Sequence, residues 1–322
     1  MSAFRRPAFW ALLGLIVLGA LAPLATGSGS LRESFFLILM FLVLASSLNL
    51  ILGYAGYVNF GHIVYFGLGS YVAMFCITRF GLHLIPSMLI AAVFAATVAF
   101  LLGTAVLRLR GAYFAIATIG VNEAVRVLVG NLDFLGGSLG IFLNLSVYGA
   151  YGGPGGALIM AYALMVILAL AVVAASFVVK RSKFGLALQS IRENEDAAQT
   201  LGIDSPHLKR LAYALSAFFP ALAGPVYFFK NGNITPDAAF SLTTSIEAMV
   251  QLMLGGFGTV VGPVIGSVVY EQLRGSLLTS ALFRDLHVVI AGAVLLLIVL
   301  FATGGITGVL RQRSRLLWGL LE

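Results

Sequence analysis

Charged residues divide the chain into long apolar stretches that have the length of membrane-spanning helices. The charge-free runs cover residues 7–31, 34–78, 80–107, 134–179, 211–229, 248–270 and 286–310. A spanning helix takes about 20 mostly apolar residues, so a chain of this length holds roughly eight to ten crossings. The pattern predicts an all-α polytopic membrane protein with about eight to ten helical segments, forming a single transmembrane domain over residues 1–322.

Glycine-rich segments divide the longer runs. The run 34–78 is too long for one helix, and Gly53-Tyr54-Ala55-Gly56 splits it into two spans. The segment 152–156 marks a loop before a sixth span at 157–179, and 211–229 is the seventh. Breaks at 255–258 and at 262–263 predict two short helices, and a final span follows at 287–304. This gives ten helical segments, some of them broken by glycine.

The first apolar run allows two interpretations. Arg5 and Arg6 precede it and a small-residue site ends at Ala22, as in a secretory signal peptide. Cleavage there would leave Pro23 beside the scissile bond, which is a poor geometry. We therefore expect an uncleaved first helix, with the signal peptide as the alternative.

Composition excludes several functions. With 60% hydrophobic and 10% charged residues and a mean hydropathy of +1.04, no large soluble domain is expected. One cysteine permits no intramolecular disulfide, and the four histidines lack metal-ligand spacing. No Gly-Lys dipeptide exists to form a phosphate-binding loop, so the chain is not expected to hydrolyse ATP. We predict no catalytic residue, metal site or bound cofactor.

Positive charge lies at the ends of the apolar runs, which favours membrane lipid headgroups over nucleic acid as counterions. Of the 19 Lys and Arg residues, 13 lie at the N-terminus, at 108–110, in the loop 180–210 and at 311–315. The positive-inside rule then places both termini and the 180–210 loop in the cytoplasm. With six crossings before residue 180, this orientation requires an even number of crossings within 246–283.

Two glycine-rich breaks are candidates for a solute route. Broken backbone at membrane depth is tolerated where it faces protein or a water-filled path, and close packing of small residues is the alternative. The second break repeats the Leu-Gly-x-x-Gly pattern of the first, which suggests a parallel pseudosymmetric pair. The path candidates in the breaks are Gly53, Tyr54, Gly56, Tyr57, Asn59, His62, Gly255, Gly256 and Gly258.

Glu123 and Arg126 lie three residues apart and share one face of the predicted fifth span. Glu123 would lie about 16 Å along a helix that begins near Ala112, close to the bilayer centre. A charge at that depth costs about 2.5 to 3.5 kcal/mol, so we expect it to face the bundle interior and to be paired. The pair is either a polar element of the path or a structural tie between helices.

The loop 180–210 is predicted to fold as two short helices. Asn194 is a good N-cap, Glu195 and Asp196 suit the positive helix end, and Gly202 suits its termination. The preceding segment has an apolar side at positions 186, 188 and 191 that needs a cover. A membrane surface or a partner protein would serve, and the nearby acidic residues favour a partner.

Four segments resemble the permease subunits of branched-chain amino-acid ABC importers, and they extend from about residue 48 to residue 270. Gly53-Tyr-Ala-Gly-Tyr-Val-Asn-Phe-Gly-His is similar to the family's Gly-Tyr-Ala-Gly-Gln-Val-Ser-Leu-Gly-His. Leu107-Arg-Leu-Arg-Gly-Ala-Tyr-Phe-Ala-Ile, the run 182–203 and Leu254-Gly-Gly-Phe-Gly-Thr-Val-Val-Gly-Pro resemble further family blocks, with the M-type permease the better match. Tyr57, Asn59 and Phe60 depart from the family's Gln, Ser and Leu, which changes the polar pattern at the first break and leaves the solute open.

The resemblance implies a non-catalytic, multi-pass permease of the bacterial inner membrane that carries leucine, isoleucine and valine. It implies a second, homologous permease subunit, two cytoplasmic ATPases that use ATP and Mg²⁺, and an extracytoplasmic solute-binding protein. The 180–210 loop would couple the permease to the ATPases. Its expected docking residues are Ser182, Phe184, Gly185, Leu188, Ile191, Arg192, Glu193, Asn194, Glu195, Ala197 and Gly202.

Three alternatives remain. Within the family, the solute could be urea, an amide or another small polar molecule. A stand-alone secondary transporter could use Glu123 as a proton or ion site, and it would need no docking loop. A membrane-embedded enzyme is disfavoured because the loops lack paired carboxylates and metal-ligand clusters.

Overall fold

A computed structural model describes residues 7–279 and 304–308, together with the single positions 289 and 293. Within this part the chain folds almost entirely into helices. The first six are α1 (Pro7–Thr26), α2 (Gly29–Ala55), α3 (Ile63–Phe80), α4 (Leu84–Val106), α5 (Ala112–Gly130) and α6 (Gly153–Arg181). The next six are α7 (Lys183–Glu193), α8 (Glu195–Thr200), α9 (Ser205–Asn231), α10 (Pro236–Ala239), α11 (Leu242–Gly255) and α12 (Val261–Thr279).

Seven helical stretches in the described residues are long and apolar enough to cross a membrane. They confirm the predicted all-α polytopic membrane fold. Helix α1 carries a shorter apolar segment at Trp10–Pro23. The predicted pair of short helices in 246–283 is present as α11 and α12, whereas the final predicted span at 287–304 lies outside the described residues.

Helix α2 forms the centre of the bundle. It packs against α6, α9, α11 and α12, and its residues from Ile38 to Ala55 are all buried. Helices α4 and α5 lie at the periphery of the bundle. Only 33% and 22% of the residues in their most apolar stretches are buried. Their exposed apolar side chains suit a lipid or protein environment.

The bundle has two ends, which we name by their contents. The docking end carries α7, α8 and the α4–α5 connection at 107–111. At the strand end, β1 (Ile141–Phe142) pairs antiparallel with β2 (Asn233–Ile234). Helix α9 runs from the docking end to the strand end, and its 27 residues make it roughly 40 Å long. The cytoplasmic location of the docking end stays a prediction.

The chain breaks differ in detail from those the sequence predicts. Helix α2 continues through Gly53 and ends at Ala55. The next residue, Gly56, has a φ of +80°, a left-handed conformation that glycine adopts without strain. The predicted loop at 152–156 is wrong after residue 152, because α6 begins at Gly153. The predicted break at 262–263 is also wrong, because α12 begins at Val261. Pro154 and Pro263 lie in the first turns of these two helices. A proline is tolerated there since a first-turn N–H has no intrahelical acceptor.

Candidate functional site

The segment 182–204 at the docking end folds as two capped helices, as predicted. The Asn194 side chain accepts a hydrogen bond from the Ala197 backbone N–H at 3.0 Å and begins α8. Ser182 caps α7 in the same way by accepting from Gly185 N at 3.1 Å. Gly202, with a φ of +86°, follows the end of α8. These caps satisfy backbone groups that would otherwise lack partners at the helix ends.

The apolar side of α7 is only partly available to another molecule. Leu188 and Ile191 are 0% and 3% exposed, because they pack into this chain's own core. Leu186 is 60% exposed, and Leu201, just after α8, is 83% exposed. The prediction that a membrane surface or a partner protein covers the apolar side at 186, 188 and 191 is therefore wrong for Leu188 and Ile191, because this chain itself covers them. The surface that remains open combines Leu186 and Leu201 with exposed polar residues of α7 and α8.

The two glycine-rich breaks, far apart in sequence, meet at the docking end. Asn49 of α2 donates from Nδ2 to the Thr259 carbonyl oxygen at 2.8 Å, and its Oδ1 accepts from Gly258 N at 2.8 Å. A Cβ atom on Gly53 would lie 2.6 Å from Gly258 N and 1.9 Å from the Asn49 Oδ1. The backbones of the two breaks approach this closely only because glycine occupies position 53.

Arg192 joins helix α7 to this glycine contact. Its Nη1 donates to the Gly53 carbonyl oxygen at 2.7 Å, and its Nη2 pairs with Glu193 Oε1 at 2.9 Å. A Cβ atom on Gly56 would lie 2.8 Å from the Arg192 Cγ, and one on Gly258 would lie 3.2 Å from the Arg192 Nη1. One side chain of the predicted coupling loop thus touches both breaks.

A buried ionic cluster joins α8 to three further elements. Lys209 of α9 donates from Nζ to Glu195 Oε1 at 2.6 Å, to the Tyr57 hydroxyl at 2.8 Å and to the Leu107 carbonyl oxygen at 3.2 Å. The Tyr57 hydroxyl donates to Glu195 Oε2 at 3.0 Å. The side chains of Lys209 and Glu195 are only 5% and 11% exposed. We name Tyr57, Glu195 and Lys209 the ionic cluster.

Burial, followed by the negative charge of Glu195, raises the pKa of the Tyr57 hydroxyl above its ordinary value. The Tyr57 hydroxyl therefore keeps its proton at physiological pH and donates a hydrogen bond to the Glu195 carboxylate. Its ring also packs edge-on against Phe114 at 5.0 Å between centroids. Tyr57, one of the positions that depart from the family pattern, thus contacts the segment 182–204 through its hydroxyl.

Arg110 extends the cluster to the protein surface. Its Nη2 donates to Asp196 Oδ1 at 3.0 Å, and its Nε lies 3.4 Å from Glu195 Oε2. The hydrogen bond from Arg110 holds the pKa of the Asp196 carboxyl below its ordinary value. Glu195, expected from the sequence to be a docking residue, is instead largely covered by this chain, whereas Glu193 is 74% exposed.

The remaining path candidates of the first break are buried inside the chain. His62 Nε2 lies 3.0 Å from the Ser47 Oγ, and the Tyr54 hydroxyl donates to the Ser176 carbonyl oxygen at 3.2 Å. Asn59 is 0% exposed. Gly255 packs against the first turn of α12, since a Cβ there would lie 1.8 Å from the Gly262 carbonyl oxygen. The role of these residues, and of Gly256, in solute passage stays a prediction.

Glu123 and Arg126 are paired, but they do not face the interior of this chain's bundle. Arg126 bonds both carboxylate oxygens of Glu123 and also contacts Asp237 near the strand end. The Glu123 side chain is 56% exposed. The predicted partnership is confirmed, and the predicted interior position is wrong because α5 lies at the periphery. Their role in transport stays a prediction.

Sequence reasoning missed Lys209, Arg110 and Asn49. Each is polar and lies within or next to an apolar run, which is a signal for a buried partner. Glu195, the partner of both Lys209 and Arg110, lies 14 and 85 positions from them, and Gly258 lies 209 positions from Asn49. No pattern in the sequence identifies partners at these separations.

The sequence of the chain is similar to those of known proteins. Residues 30–299 match the model of the branched-chain amino acid transport system permease component family. The chain is 27% identical to the high-affinity branched-chain amino acid transport system permease protein LivM of Escherichia coli, over 95% of this chain and 76% of that protein. It is 25% identical to BraD, the corresponding high-affinity permease protein of Pseudomonas aeruginosa, over 83% and 91%.

A third relative is the probable branched-chain amino acid transport permease protein LivM of Methanocaldococcus jannaschii, which is 25% identical over 73% of this chain and 77% of that protein. No solved structure matches the chain. The family model covers most of the sequence, including both glycine breaks, the segment 182–204 and the ionic cluster. The chain is a multi-pass inner-membrane protein, a non-catalytic subunit of a transport system, and it belongs to the branched-chain amino acid transport system permease component family.

Proposed function

We propose that this chain is one permease subunit of an ATP-binding cassette importer for leucine, isoleucine and valine. The relatives that match most of its length are branched-chain amino acid permeases. The predicted branched-chain substrate thus agrees with the names of these relatives.

The observation that carries the proposal is the placement of Arg192. Helix α7 is short, capped and at the bundle end, and Arg192 links it to the carbonyl of Gly53, where the two breaks meet. An ATPase that moved α7 would therefore act directly on the ends of α2 and α11. Such a mechanical link supports alternating access, in which the ATPase cycle biases two arrangements of the helices.

The second link is the ionic cluster. Glu195 fixes α8 to the first break through Tyr57 and to α9 through Lys209. Since both charged side chains are buried and paired, α8 is held rigidly to the bundle. We propose that the segment 182–204 moves with these helices as one body and transmits the force of ATP binding.

The proposal includes partners of stated kinds. Two ATPases would bind the docking end and use ATP and Mg²⁺. A homologous permease would complete the translocation path, and a solute-binding protein would deliver the amino acid to the opposite face. Glu123, Arg126 and the exposed apolar faces of α4 and α5 are available to the second permease. The glycine segments 53–62 and 255–258 would then lie near the path.

The test is uptake by the reconstituted complex. The chain, its partner permease, the two ATPases and the binding protein are placed in liposomes that contain ATP and Mg²⁺. Uptake of radiolabelled leucine, isoleucine and valine is expected, and urea and small amides should be excluded. ATP-dependent uptake of urea or amides alone would overturn the substrate assignment. Uptake by the isolated chain without ATPases would overturn the coupling.

A further inference from the structure

Helices α4 and α9 carry two adjoining depressions along the seam where they pack together. At the docking end, a basic pocket with a volume of about 490 Å³ lies between the last turn of α4 and the first turns of α9. Farther along the same two helices lies an apolar groove of about 350 Å³. The transport cycle proposed above assigns no ligand to either of them.

The basic pocket holds more positive than negative charge. The charged residues in its lining are Arg108, Arg110, Glu195, Lys209 and Arg210. Glu195 pairs with Lys209, and Arg110 pairs with Asp196. Arg108 and Arg210 form no ion pair within the described part of the chain. The pocket therefore keeps two positive charges without an acidic partner, and an anion would complete it.

The two unpaired arginines are held with their outer nitrogens available. Arg108 donates from Nε to the Thr104 carbonyl oxygen at 2.9 Å, and Arg210 donates from Nε to the Pro206 carbonyl oxygen at 3.1 Å. Each bond fixes the side chain along its own helix, and the Nη groups have no acceptor among the residues that the structure describes. A guanidinium held in this way can donate to the oxygens of a phosphate.

The apolar groove continues the same face of α4 away from the docking end. It is lined by Val93, Ala96, Thr97 and Phe100 of α4 and by Phe218 of α9. Positions 93, 97, 100, 104 and 108 recur at spacings of three or four residues, so they share one side of the helix axis. From Phe100 to Val93 the groove extends about 10 Å along α4. One leaflet of the hydrocarbon core is about 15 Å thick, so the groove has the length of much of an acyl chain.

The basic pocket and the apolar groove meet at Phe100. The Arg210 guanidinium carbon lies 5.2 Å from the centroid of the Phe100 ring, which is within the range of a cation–π contact. Helix α4 has 23 residues and is therefore about 35 Å long, enough to cross the hydrocarbon core of about 30 Å. Arg108 follows the end of this helix by two residues, so its charge lies at the membrane interface.

The geometry points to a binding site for one anionic phospholipid on the α4–α9 seam. The phosphate accepts hydrogen bonds from Arg108 and Arg210 in the basic pocket, and one acyl chain lies in the apolar groove. Basic pockets between transmembrane helices are a recognised form of headgroup site. The inference requires only that the chain lies in a membrane, so it does not depend on which solute is transported.

The order of the two features favours a lipid over a protein. An ATPase at the docking end would cover the basic pocket but not a groove that extends into the membrane. A helix of the second permease would cover the groove but would bring no charge to the two arginines. A phospholipid carries its phosphate next to its acyl chains, in the order that the seam presents. The other exposed surface of α4, which includes Leu101, remains open to the second permease.

The first experiment measures lipid retention by the purified wild-type complex. The complex is incubated in mild detergent with equal amounts of phosphatidylglycerol and phosphatidylcholine that have identical acyl chains, and native mass spectrometry counts the lipids retained. Phosphatidylglycerol is expected to be retained about tenfold better, because the choline headgroup carries a positive charge into a basic pocket. Equal retention of the two lipids would overturn the inference.

A soluble competitor distinguishes a lipid from a free phosphate. Glycerol 3-phosphate has the phosphate without the acyl chains, and it should not displace phosphatidylglycerol even in large excess. Displacement at a concentration equal to that of the lipid would show that the groove contributes nothing. The site would then be a phosphate site, and the assignment to a lipid would be overturned.

Charge variants test the basic pocket. Arg108→Gln and Arg210→Gln should each lower the preference for phosphatidylglycerol about tenfold and leave the retention of phosphatidylcholine unchanged, whereas Arg108→Lys should keep part of the preference. Lys183→Gln is the control, since Lys183 is exposed at the docking end and does not line the pocket. An equal loss in Lys183→Gln, or no loss in either arginine variant, would overturn the inference.

A matched pair of tryptophan variants tests the groove. Thr97→Trp fills it and should lower retention of phosphatidylglycerol several-fold although both arginines remain. Leu101→Trp, at a position of α4 that is 60% exposed and does not line the groove, should have no effect. Retention of the second permease and of the ATPases is recorded for every variant. If a variant loses a protein subunit but keeps its preference for phosphatidylglycerol, the seam is a protein interface and the inference fails.

Discussion

Arg192 and Gly53 lie 139 positions apart in the chain, and the Arg192 Nη1 donates to the Gly53 carbonyl oxygen at 2.7 Å. Gly53 is in the last turn of α2, where a helix leaves its carbonyl oxygens without intrahelical donors and carries partial negative charge. The guanidinium therefore caps the central helix of the bundle. A movement of α7 reaches the end of α2 through this contact.

Replacement of Arg192 by Met should uncouple transport. The variant keeps an apolar stem but loses the charge and the hydrogen bond to Gly53, so we expect uptake to fall about tenfold, the effect of losing one charge-assisted hydrogen bond. Uptake in liposomes is measured together with retention of the ATPase subunits during purification. Lys183→Met, at an exposed position of the same helix, removes the same charge and should leave uptake near wild type. Equal uptake by both variants would contradict the link.

The ionic cluster should contribute strongly to stability. Lys209→Met leaves the 11%-exposed Glu195 without its buried partner, which typically costs about 3 to 5 kcal/mol. Tyr57→Phe removes only one hydroxyl shared by the two charges and should cost about 1.5 to 3 kcal/mol. The thermal unfolding midpoint of the purified complex measures both effects.

Tyr113→Phe is the matched control for the cluster. Tyr113 is 76% exposed, so removal of its hydroxyl is not expected to break a buried interaction. Its midpoint should equal that of the wild type. If Tyr57→Phe unfolds at the same temperature as Tyr113→Phe, the hydroxyl of Tyr57 does not hold α8 to the bundle.

The contact between the two breaks should tolerate no side chain at position 53. A methyl group there would meet the Asn49 Oδ1 at 1.9 Å and Gly258 N at 2.6 Å, and Asn49 cannot turn away without losing its two backbone hydrogen bonds. Gly53→Ala should therefore reduce the yield of folded protein several-fold, as overpacked sites typically lose about 1 to 3 kcal/mol. Size-exclusion chromatography of the detergent extract measures the yield.

Gly120→Ala supplies the comparison for this experiment. Gly120 lies in α5, and a Cβ there meets nothing within 4 Å. Its yield should match the wild type or exceed it, since alanine favours a helix. A wild-type yield from Gly53→Ala as well would show that the two backbones can separate without loss.

The sequence predicted those features that depend on neighbours in the chain. The spans follow from apolar runs of sufficient length, and the caps at Asn194 and Gly202 act on backbone groups within a few residues. The break after α2 was predicted near its position because glycine density is a local signal. These features follow from local sequence and do not depend on packing.

Features that depend on packing between distant parts of the chain were harder to predict from the sequence. Glu123 was expected to face inward because its depth was inferred from position along α5, and a helix that is apolar on most sides does not show which face is covered. Glu195 has the sequence features of an exposed helix start, yet its position beside Lys209 is set by how α8 lies on α9. The pairing of Asn49 with Gly258 likewise depends on the meeting of α2 and α11.

The exposed leucine after α8 offers a test of the docking surface that leaves the ionic cluster intact. Leu201 is 83% exposed at the docking end, so the described part of the chain leaves most of its side chain uncovered. Under the proposed docking, Leu201→Asp should weaken capture of the ATPase subunits about tenfold, because it replaces an apolar contact by a charge that the interface would have to desolvate. Leu145→Asp, at a position that is 72% exposed near the strand end, introduces the same charge and should leave capture unchanged. Co-purification of the ATPases with each tagged variant measures the difference, and undiminished capture by Leu201→Asp would mean that the ATPases bind elsewhere.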